Sequence, residues 1–178
     1  MKLADAFSSF KKSARRLELL QEYHIDGNEW ETFRKFKAGE PTAIYEELAE
    51  WNSLLDSWTK RGISVDRIRV IDNPLSDYLK YQIDLGYVPS ALCGQSVRFI
   101  SRDRFNEISK GLINTDFWLF DDEFVFELVY DEKGAFLESR EVKEEFYKSL
   151  YQELFQCSIS LEEVVKQIRR QRIDIIFS

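Results

Sequence analysis

The chain is poor in the residues that most often carry catalysis or fasten small domains together. Its 178 residues include two cysteines, one histidine, seven glycines and three prolines. Cys93 and Cys157 have no CxxC spacing, which predicts a reduced, cytoplasmic protein in which neither is a metal ligand. A nucleophilic triad would have to use His24, which has no motif around it, so we interpret it as a surface histidine. Neither GxGxxG nor GxxxxGKS/T occurs, which excludes the common phosphate-binding loops.

Long apolar runs and a basic balance are also missing. No run approaches the ~20 residues that a membrane-spanning helix requires, and the start, Met1-Lys2-Leu3, lacks the layout of a signal peptide. Acidic residues outnumber basic ones by 32 to 25, and the resulting net charge of −7 disfavours general nucleic-acid binding. Aromatic residues make up 15% of the chain, which predicts a core rich in Phe and Tyr.

The apolar residues that are present are arranged as the strands and helices of an α/β domain. The strand predicted at 124–130 is apolar on both faces, so we place it inside a sheet that has helices on both sides. We predict a mixed five-stranded sheet flanked by helices within residues 63–178, preceded by an N-terminal helical lobe at residues 1–62. The predicted strands are residues 67–71, 96–100, 116–120, 124–130 and 135–138.

Two other patterns are interpreted as structural. An aromatic stripe at helical spacing predicts a core helix rather than a ligand platform. Basic side chains in segment 11–16 predict a solvated edge, and those in segment 166–172 predict the C-terminal end of a helix, where positive charge is favourable. Direct nucleic-acid binding through these two segments is the weaker interpretation. The stripe consists of Ile44, Leu48, Trp51, Leu55 and Trp58, and the first basic segment contains Lys11, Lys12, Arg15 and Arg16.

The junction at residues 67–81 is the predicted binding site. A β-branched run leads into a helix, for which Asn73 is the predicted N-cap and Pro74 the first helical residue. Ligands of open α/β sheets bind at the carboxyl ends of strands, and arginine suits phosphate or carboxylate. The predicted ligand- or partner-binding residues are Arg67, Arg69, Asp77, Tyr78, Tyr81, Arg98, Asp116, Asp121 and Asp122.

Some of these carboxylates also allow a metal-dependent interpretation. If Asp77, Asp121 and Asp122 converge beside an arginine, they would form a Mg²⁺ site for a phosphoryl or nucleotide substrate. The structural alternative is that each aspartate serves a turn or a helix N-terminus. We predict no cofactor, and no residue is predicted to be catalytic.

A resemblance to a known family is carried by segments 10–23, 38–41, 67–79, 97–100, 116–122 and 130–134. PLSDYL at 74–79 and DFWLFDD at 116–122 are its specific motifs. On these segments the chain resembles an uncharacterised bacterial domain family of unknown function, often encoded beside helix-turn-helix regulators. The resemblance covers nearly the whole chain. It implies no reaction, and its gene context implies a protein partner.

The predicted strand order is also similar to half of a phospholipase D-like domain. Those enzymes use His-x-Lys-x4-Asp, and aligning that aspartate with Asp121 puts Asn114 at the histidine and Asp116 at the lysine. Leu128 and Val129 stand where a glycine-serine element would follow. The resemblance therefore implies shared topology without that chemistry.

These observations support a first hypothesis and an alternative. The first is a non-enzymatic regulatory or protein-interaction domain that binds a protein partner, such as a DNA-binding regulator, or a small anionic ligand between Arg67 and Arg69. The alternative is a Mg²⁺-dependent enzyme that uses the Asp/Arg cluster.

Overall fold

The chain folds around a mixed seven-stranded sheet. The computed structural model describes residues 1–143, 145–170 and 175–177. The described helices are α1 (Leu3–Ser9), α2 (Gly27–Lys37), α3 (Glu46–Lys60), α4 (Asp77–Tyr81), α5 (Val88–Leu92), α6 (Arg102–Ser109), α7 (Phe146–Gln156) and α8 (Leu161–Arg169). The strands are β1 (Ser13–Glu18), β2 (Ser64–Ile71), β3 (Gln95–Ser101), β4 (Asp116–Phe120), β5 (Phe124–Tyr130), β6 (Phe136–Val142) and β7 (Ile159–Ser160). A π-helical turn, Gln82–Tyr87, joins α4 to α5.

The strand order across the sheet is β6-β5-β4-β1-β2-β3-β7. Strands β1, β2 and β3 are parallel neighbours, whereas every other pairing is antiparallel. The α/β class and the mixed sheet are therefore confirmed. The predicted number of five strands is wrong, because β1 and β7 were missed.

Helices pack on both faces of the sheet. On one face, Leu17, Ile68 and Phe117 form an apolar core with side chains from α6 and α7. On the other face, α1 and α3 cover the β4–β5 side, where Phe120 and Phe126 are buried. The α4–α5 segment also packs on this second face of the sheet, where it covers β3 beside α8. Among the described residues, no helix has the length and apolar character needed to span a membrane.

The N-terminal third differs from its prediction. Residues 1–62 do not form a helical lobe, because β1 pairs with β2 and β4 at the centre of the sheet. The helix after β2 also starts later than predicted. Ser76, whose hydroxyl accepts a hydrogen bond from the amide of Leu79, is its N-cap. The Asn73 side chain instead exchanges two hydrogen bonds of 2.9 Å with the backbone of Ile175.

Candidate functional site

Four charged side chains stand together on one face of the two central strands. Register pairs Arg16 of β1 with Arg67 of β2, and Glu18 with Arg69. Residues two apart on a strand point to the same face, so all four project toward α3 and the α4–α5 segment. Charged residues at these alternate positions are unusual inside a sheet, and they require partners because burial removes their hydration.

Glu18 is the centre of this cluster. It is 5% exposed and accepts hydrogen bonds from the guanidinium of Arg67 and, at 2.9 Å, from the hydroxyl of Tyr87. A nitrogen of Arg16 lies 3.5 Å from Oε1, and one of Arg69 lies 3.9 Å from Oε2. Burial by itself raises the pKa of this carboxyl, but the three guanidiniums lower it to about 2. Glu18 is therefore ionised at neutral pH.

Asp116 at the start of β4 supplies the second buried carboxylate. It is 1% exposed and accepts hydrogen bonds from Arg16 at 2.8 Å, from the amide of Leu19 at 2.8 Å and from the hydroxyl of Tyr23 at 2.5 Å. Three donors from three different residues hold this carboxylate in one orientation. Asp116 therefore has a structural role at the β1–β4 contact.

The cluster contains one more positive charge than negative charges. The guanidiniums of Arg16, Arg67 and Arg69 face the two carboxylates of Glu18 and Asp116. Arg69 is fully buried, and its Nε and Nη1 have no hydrogen-bond partner among the described residues. Its guanidinium carbon lies 4.9 Å from the centroid of the Tyr23 ring, a cation–π contact. The buried cluster therefore carries a net charge of plus one.

A cavity of about 410 Å³ opens above this cluster. This volume is within the range of small-molecule sites, which is about 300–1,000 Å³. Arg16, Glu18 and Arg67 line its buried end, whereas the half-buried Glu29 and the exposed Glu47 line its outer end. The other lining side chains are Tyr45, Leu48, Trp51, Tyr81, Gln82, Tyr87, Ser90, Gln95, Trp118 and Leu128.

Gln95, the first residue of β3, is the most unusual polar group in the cavity wall. It is 4% exposed, and both its amide oxygen and its amide nitrogen have no hydrogen-bond partner within the described part of the chain. The Nη1 of Arg16 and the Nε of Arg67 are likewise buried and unpaired. An unmade hydrogen bond on a buried polar group costs about 1–3 kcal/mol. An ordered water, an ion or a bound molecule would supply the missing hydrogen bonds of such groups.

The outer end of the cavity carries the opposite charge. Burial raises the pKa of Glu29, a hydrogen bond from Tyr45 lowers it, and the nearby Glu47 raises it further. Burial and the adjacent Glu29 also raise the pKa of the Tyr45 hydroxyl. The cavity therefore has a positive buried end and an acidic mouth.

The structure brings some of the predicted site residues together. Arg67, Arg69 and Asp116 belong to the buried charge cluster, and Tyr81 lines the cavity. Tyr78 is buried beside them and accepts a hydrogen bond of 2.8 Å from the Gln82 side chain. Their location also differs from the prediction, because the cavity lies over one face of the sheet rather than at the junction before α4.

Other predicted site residues lie elsewhere. Asp77 is exposed at the start of α4, where its nearest cation is Lys80 at 3.4 Å. Arg98 is paired with Ile68 across the β2–β3 register and so points to the opposite face of the sheet. It donates a hydrogen bond to Ser158 at 2.8 Å and stacks over the Phe155 ring. Neither residue is part of the cavity.

Asp121 and Asp122 lie at the other end of the sheet and have structural partners. Asp122 pairs with Arg15 and, at 3.3 Å, with Lys148. Asp121 donates a backbone hydrogen bond to Ser13 at the start of β1, whereas Asp77 comes after the end of β2. Because β1 and β2 are parallel, Asp121 and Asp77 lie near opposite ends of these strands, roughly 15 Å or more apart. The predicted convergence of these three carboxylates is therefore wrong, and no cluster of metal ligands occurs among the described residues.

Asp121 anchors the entry to β1. Its carboxylate accepts backbone hydrogen bonds from Lys11 at 2.8 Å, Lys12 at 2.7 Å and Ser13 at 2.9 Å. Desolvation raises the pKa of Asp121, but these amides outweigh it and lower the pKa below its ordinary value.

We expect Asp121→Ala to lower the free energy of unfolding by about 1–3 kcal/mol, because three amides lose a charged acceptor. Urea unfolding measures this loss. Asp77→Ala is the matched control, since its ion pair is exposed and contributes about 0–1 kcal/mol. Equal effects of the two substitutions would contradict the anchoring role.

Several residues of the cavity were missed from the sequence. Arg16, predicted to be solvated, is 5% exposed, and Trp51, predicted to be core, lines the cavity. Tyr87 and Gln95 were not singled out at all, and Glu18 was noted only within a segment that carries the family resemblance. A signal was present, because Arg-x-Glu at 16–18 and Arg-x-Arg at 67–69 repeat a charge with the period of a strand.

Comparison with known proteins places these observations in a family. A family model described as "Domain of unknown function (DUF6879)" matches residues 1–164. Among solved structures, the chain is similar to Nuc, a phospholipase D family member from Salmonella typhimurium. The TM-score is 0.48 at 11% identity, over 88% of this chain and 86% of that one. No curated protein matches the chain. The family match confirms the first resemblance, and the structural match agrees with the second at a level that supports no inference about activity.

Proposed function

The chain belongs to the DUF6879 family, whose function is unknown, and on the geometry of its cavity we propose that it is a non-enzymatic regulatory domain. The cavity binds a small anionic molecule, and a protein partner responds to the bound state. One observation carries the proposal: Gln95, Arg16 and Arg67 line the same cavity, and each has a buried side-chain nitrogen or oxygen that no described residue pairs.

The distribution of charge supports a ligand with one anionic group. The buried end holds one excess guanidinium, so a single carboxylate would balance its charge. Trp51 and Trp118 offer aromatic surface to a flat apolar body. Glu29 and Glu47 at the mouth disfavour a second negative charge on the exposed end of the ligand. A singly charged aromatic acid meets all three conditions.

The state of the carboxylates supports binding rather than catalysis. A general base works best when its pKa is near the operating pH, but the pKa of Glu18 is held at about 2. The Asp116 carboxylate already accepts three hydrogen bonds. Burial and Glu18 raise the pKa of Tyr87, which makes its hydroxyl a poor nucleophile. These groups are therefore arranged to hold a charge in place.

Features outside the cavity support a protein partner. Helix α2, which contributes Glu29 to the mouth, has no fully buried residue and leaves Trp30 48% exposed. The net charge of −7 favours a basic partner, such as the DNA-binding regulator implied by the family's gene context. Direct nucleic-acid binding has less support, because Arg16 is buried and Arg15 pairs with Asp122. The second basic segment, 166–172, extends beyond the described residues.

The charge preference is tested with three ligands of similar shape: 3-phenylpropionate, 3-phenylpropanamide and 2-phenylethylamine. Thermal shift and calorimetric titration should show binding of the carboxylate at least roughly tenfold tighter than binding of the amide or the amine. Tighter binding of the amine would contradict the proposed anionic ligand. Binding of none of the three would contradict the proposed function itself.

Gln95→Met separates a binding role from a structural one. We expect this variant to bind 3-phenylpropionate at least roughly tenfold more weakly, yet to be more stable without ligand by about 1 kcal/mol, because an unpaired amide is removed. Gln21→Met is the matched control, since the Gln21 side chain donates a hydrogen bond to the carbonyl of Val70 and accepts one from the amide of Asp72. We expect that control to destabilise the fold. Loss of stability in Gln95→Met would overturn the interpretation of Gln95 as a ligand-binding group.

A further inference from the structure

The outer edge of β6 lies at one end of the sheet, and no described strand pairs with it. β6 is the terminal strand of the sheet order, and within the described part of the chain it pairs with β5 alone. No backbone hydrogen bond from another described element reaches residues 137–142 from outside the sheet. Exposed edge strands present unpaired N–H and C=O groups to other chains, so proteins usually cover or block them.

The side chains of this strand do not block the edge. Phe136 is 54% exposed and Leu137 is 60% exposed, which places two large apolar residues at the start of the strand. Glu138 and Arg140 follow on one face, where they pair with each other and remain about half exposed or more. This strand contains no proline and no lysine, and its charged side chains already have partners of opposite sign: Glu138 pairs with Arg140, and Glu141 pairs with the N-terminal ammonium of Met1.

The order of these residues makes the strand complementary to itself. In an antiparallel pair related by a twofold axis, the residue on the axis faces its own copy. An axis at Glu138 opposes two glutamates, and an axis at Arg140 opposes two arginines. An axis at Ser139 opposes serine to serine, and it places Glu138 opposite Arg140 of the other copy twice.

We propose that a second copy of this chain pairs antiparallel with β6, with Ser139 facing Ser139. The β5–β6 register is regular from Glu138 to Val142 and shifts beside Phe136 and Leu137, so the paired segment is centred on Glu138, Ser139 and Arg140. The exposed side chains of Phe136 and Leu137 lie at its end, toward residues 141 and 142 of the other copy. The two sheets become one continuous sheet. A closed twofold contact of this kind is the commonest symmetry among homo-oligomers.

Charge reversal with rescue tests the register. The wild-type chain should show concentration-dependent dimerisation by sedimentation velocity and light scattering. Glu138→Arg and Arg140→Glu should each weaken the dimer roughly tenfold or more, because both cross-strand pairs become repulsive. The double variant restores the opposite charges and should dimerise like the wild type. An equimolar mixture of the two single variants should form a heterodimer.

Matched controls exclude effects of surface charge and of folding. Glu31 and Arg34 form an exposed ion pair on α2, so Glu31→Arg and Arg34→Glu should leave dimerisation unchanged. Circular dichroism should show that the β6 variants stay folded, since Glu138 and Arg140 are exposed. A wild-type chain that is monomeric at every concentration would overturn the proposal. A dimer that tolerates both single reversals, or a mixture that does not associate, would overturn it as well.

Discussion

Replacing Glu18 with alanine is expected to lower the free energy of unfolding by about 3–5 kcal/mol, the cost of breaking a buried ion pair from one side. The variant leaves Arg67 and Arg69 without their shared carboxylate, and it removes one of the two buried carboxylates that face Arg16. These guanidiniums cannot lose their protons, so the charge stays buried. The lost side chain adds a cavity to this electrostatic cost.

Urea unfolding monitored by circular dichroism measures this effect. Glu31→Ala is the matched control, because its ion pair with Arg34 is more than half exposed on both sides. Exposed pairs of this kind contribute about 0–1 kcal/mol. A loss below about 1 kcal/mol for Glu18→Ala would show that the cluster does not depend on this carboxylate.

The second large effect is expected in acid. The pKa of Glu18 is about 2 in the folded protein, against an ordinary value of 4.5. A lowered pKa stabilises the folded state above the unfolded value, and this stabilisation is lost as the pH falls through the folded value. We therefore expect Glu18 to contribute stability that is complete above about pH 5 and that declines between about pH 4.5 and 2. The difference between the ordinary and the folded pKa of Glu18 corresponds to about 3 kcal/mol of stability.

Glu18→Gln isolates this contribution, because glutamine has the same shape but does not titrate. The stability of the wild type should fall more steeply with acid than that of the variant, and the gap between them should close toward pH 2. Asp5→Asn is the control, since Asp5 lies in the exposed first turn of α1. Parallel pH profiles for the wild type and Glu18→Gln would contradict the shifted pKa of Glu18.

The five strands β2 to β6 could be predicted because each has a local apolar or alternating pattern. β1 could not, since its sequence Ser-Ala-Arg-Arg-Leu-Glu has the charge content of an exposed segment. Its burial depends on Asp116, Arg67 and Arg69, which lie roughly 50 to 100 residues away in the chain. Charged residues are stable inside the sheet only when such partners are in place.

The residues of the candidate site were likewise only partly predictable from the sequence. Arg67, Arg69 and Asp116 were predicted because they stand at strand positions with a polar neighbourhood. Asp77, Arg98, Asp121 and Asp122 were also predicted, but sequence spacing does not show to which face or end of a sheet a residue belongs. Gln95 was not predicted as a site residue, because only the folded structure shows that its buried amide has no hydrogen-bond partner among the described residues.

The sequence by itself determined the α/β class and the positions of most strands, because these depend on local periodicity. Its motif segments indicated the family of unknown function, which the family match confirms. Only the tertiary structure decided which charges meet. The parallel register of β1 and β2 sets Glu18 among three guanidiniums, and the helices above them enclose a cavity there. Contacts between residues distant in the chain fix that arrangement, so no local pattern encodes it.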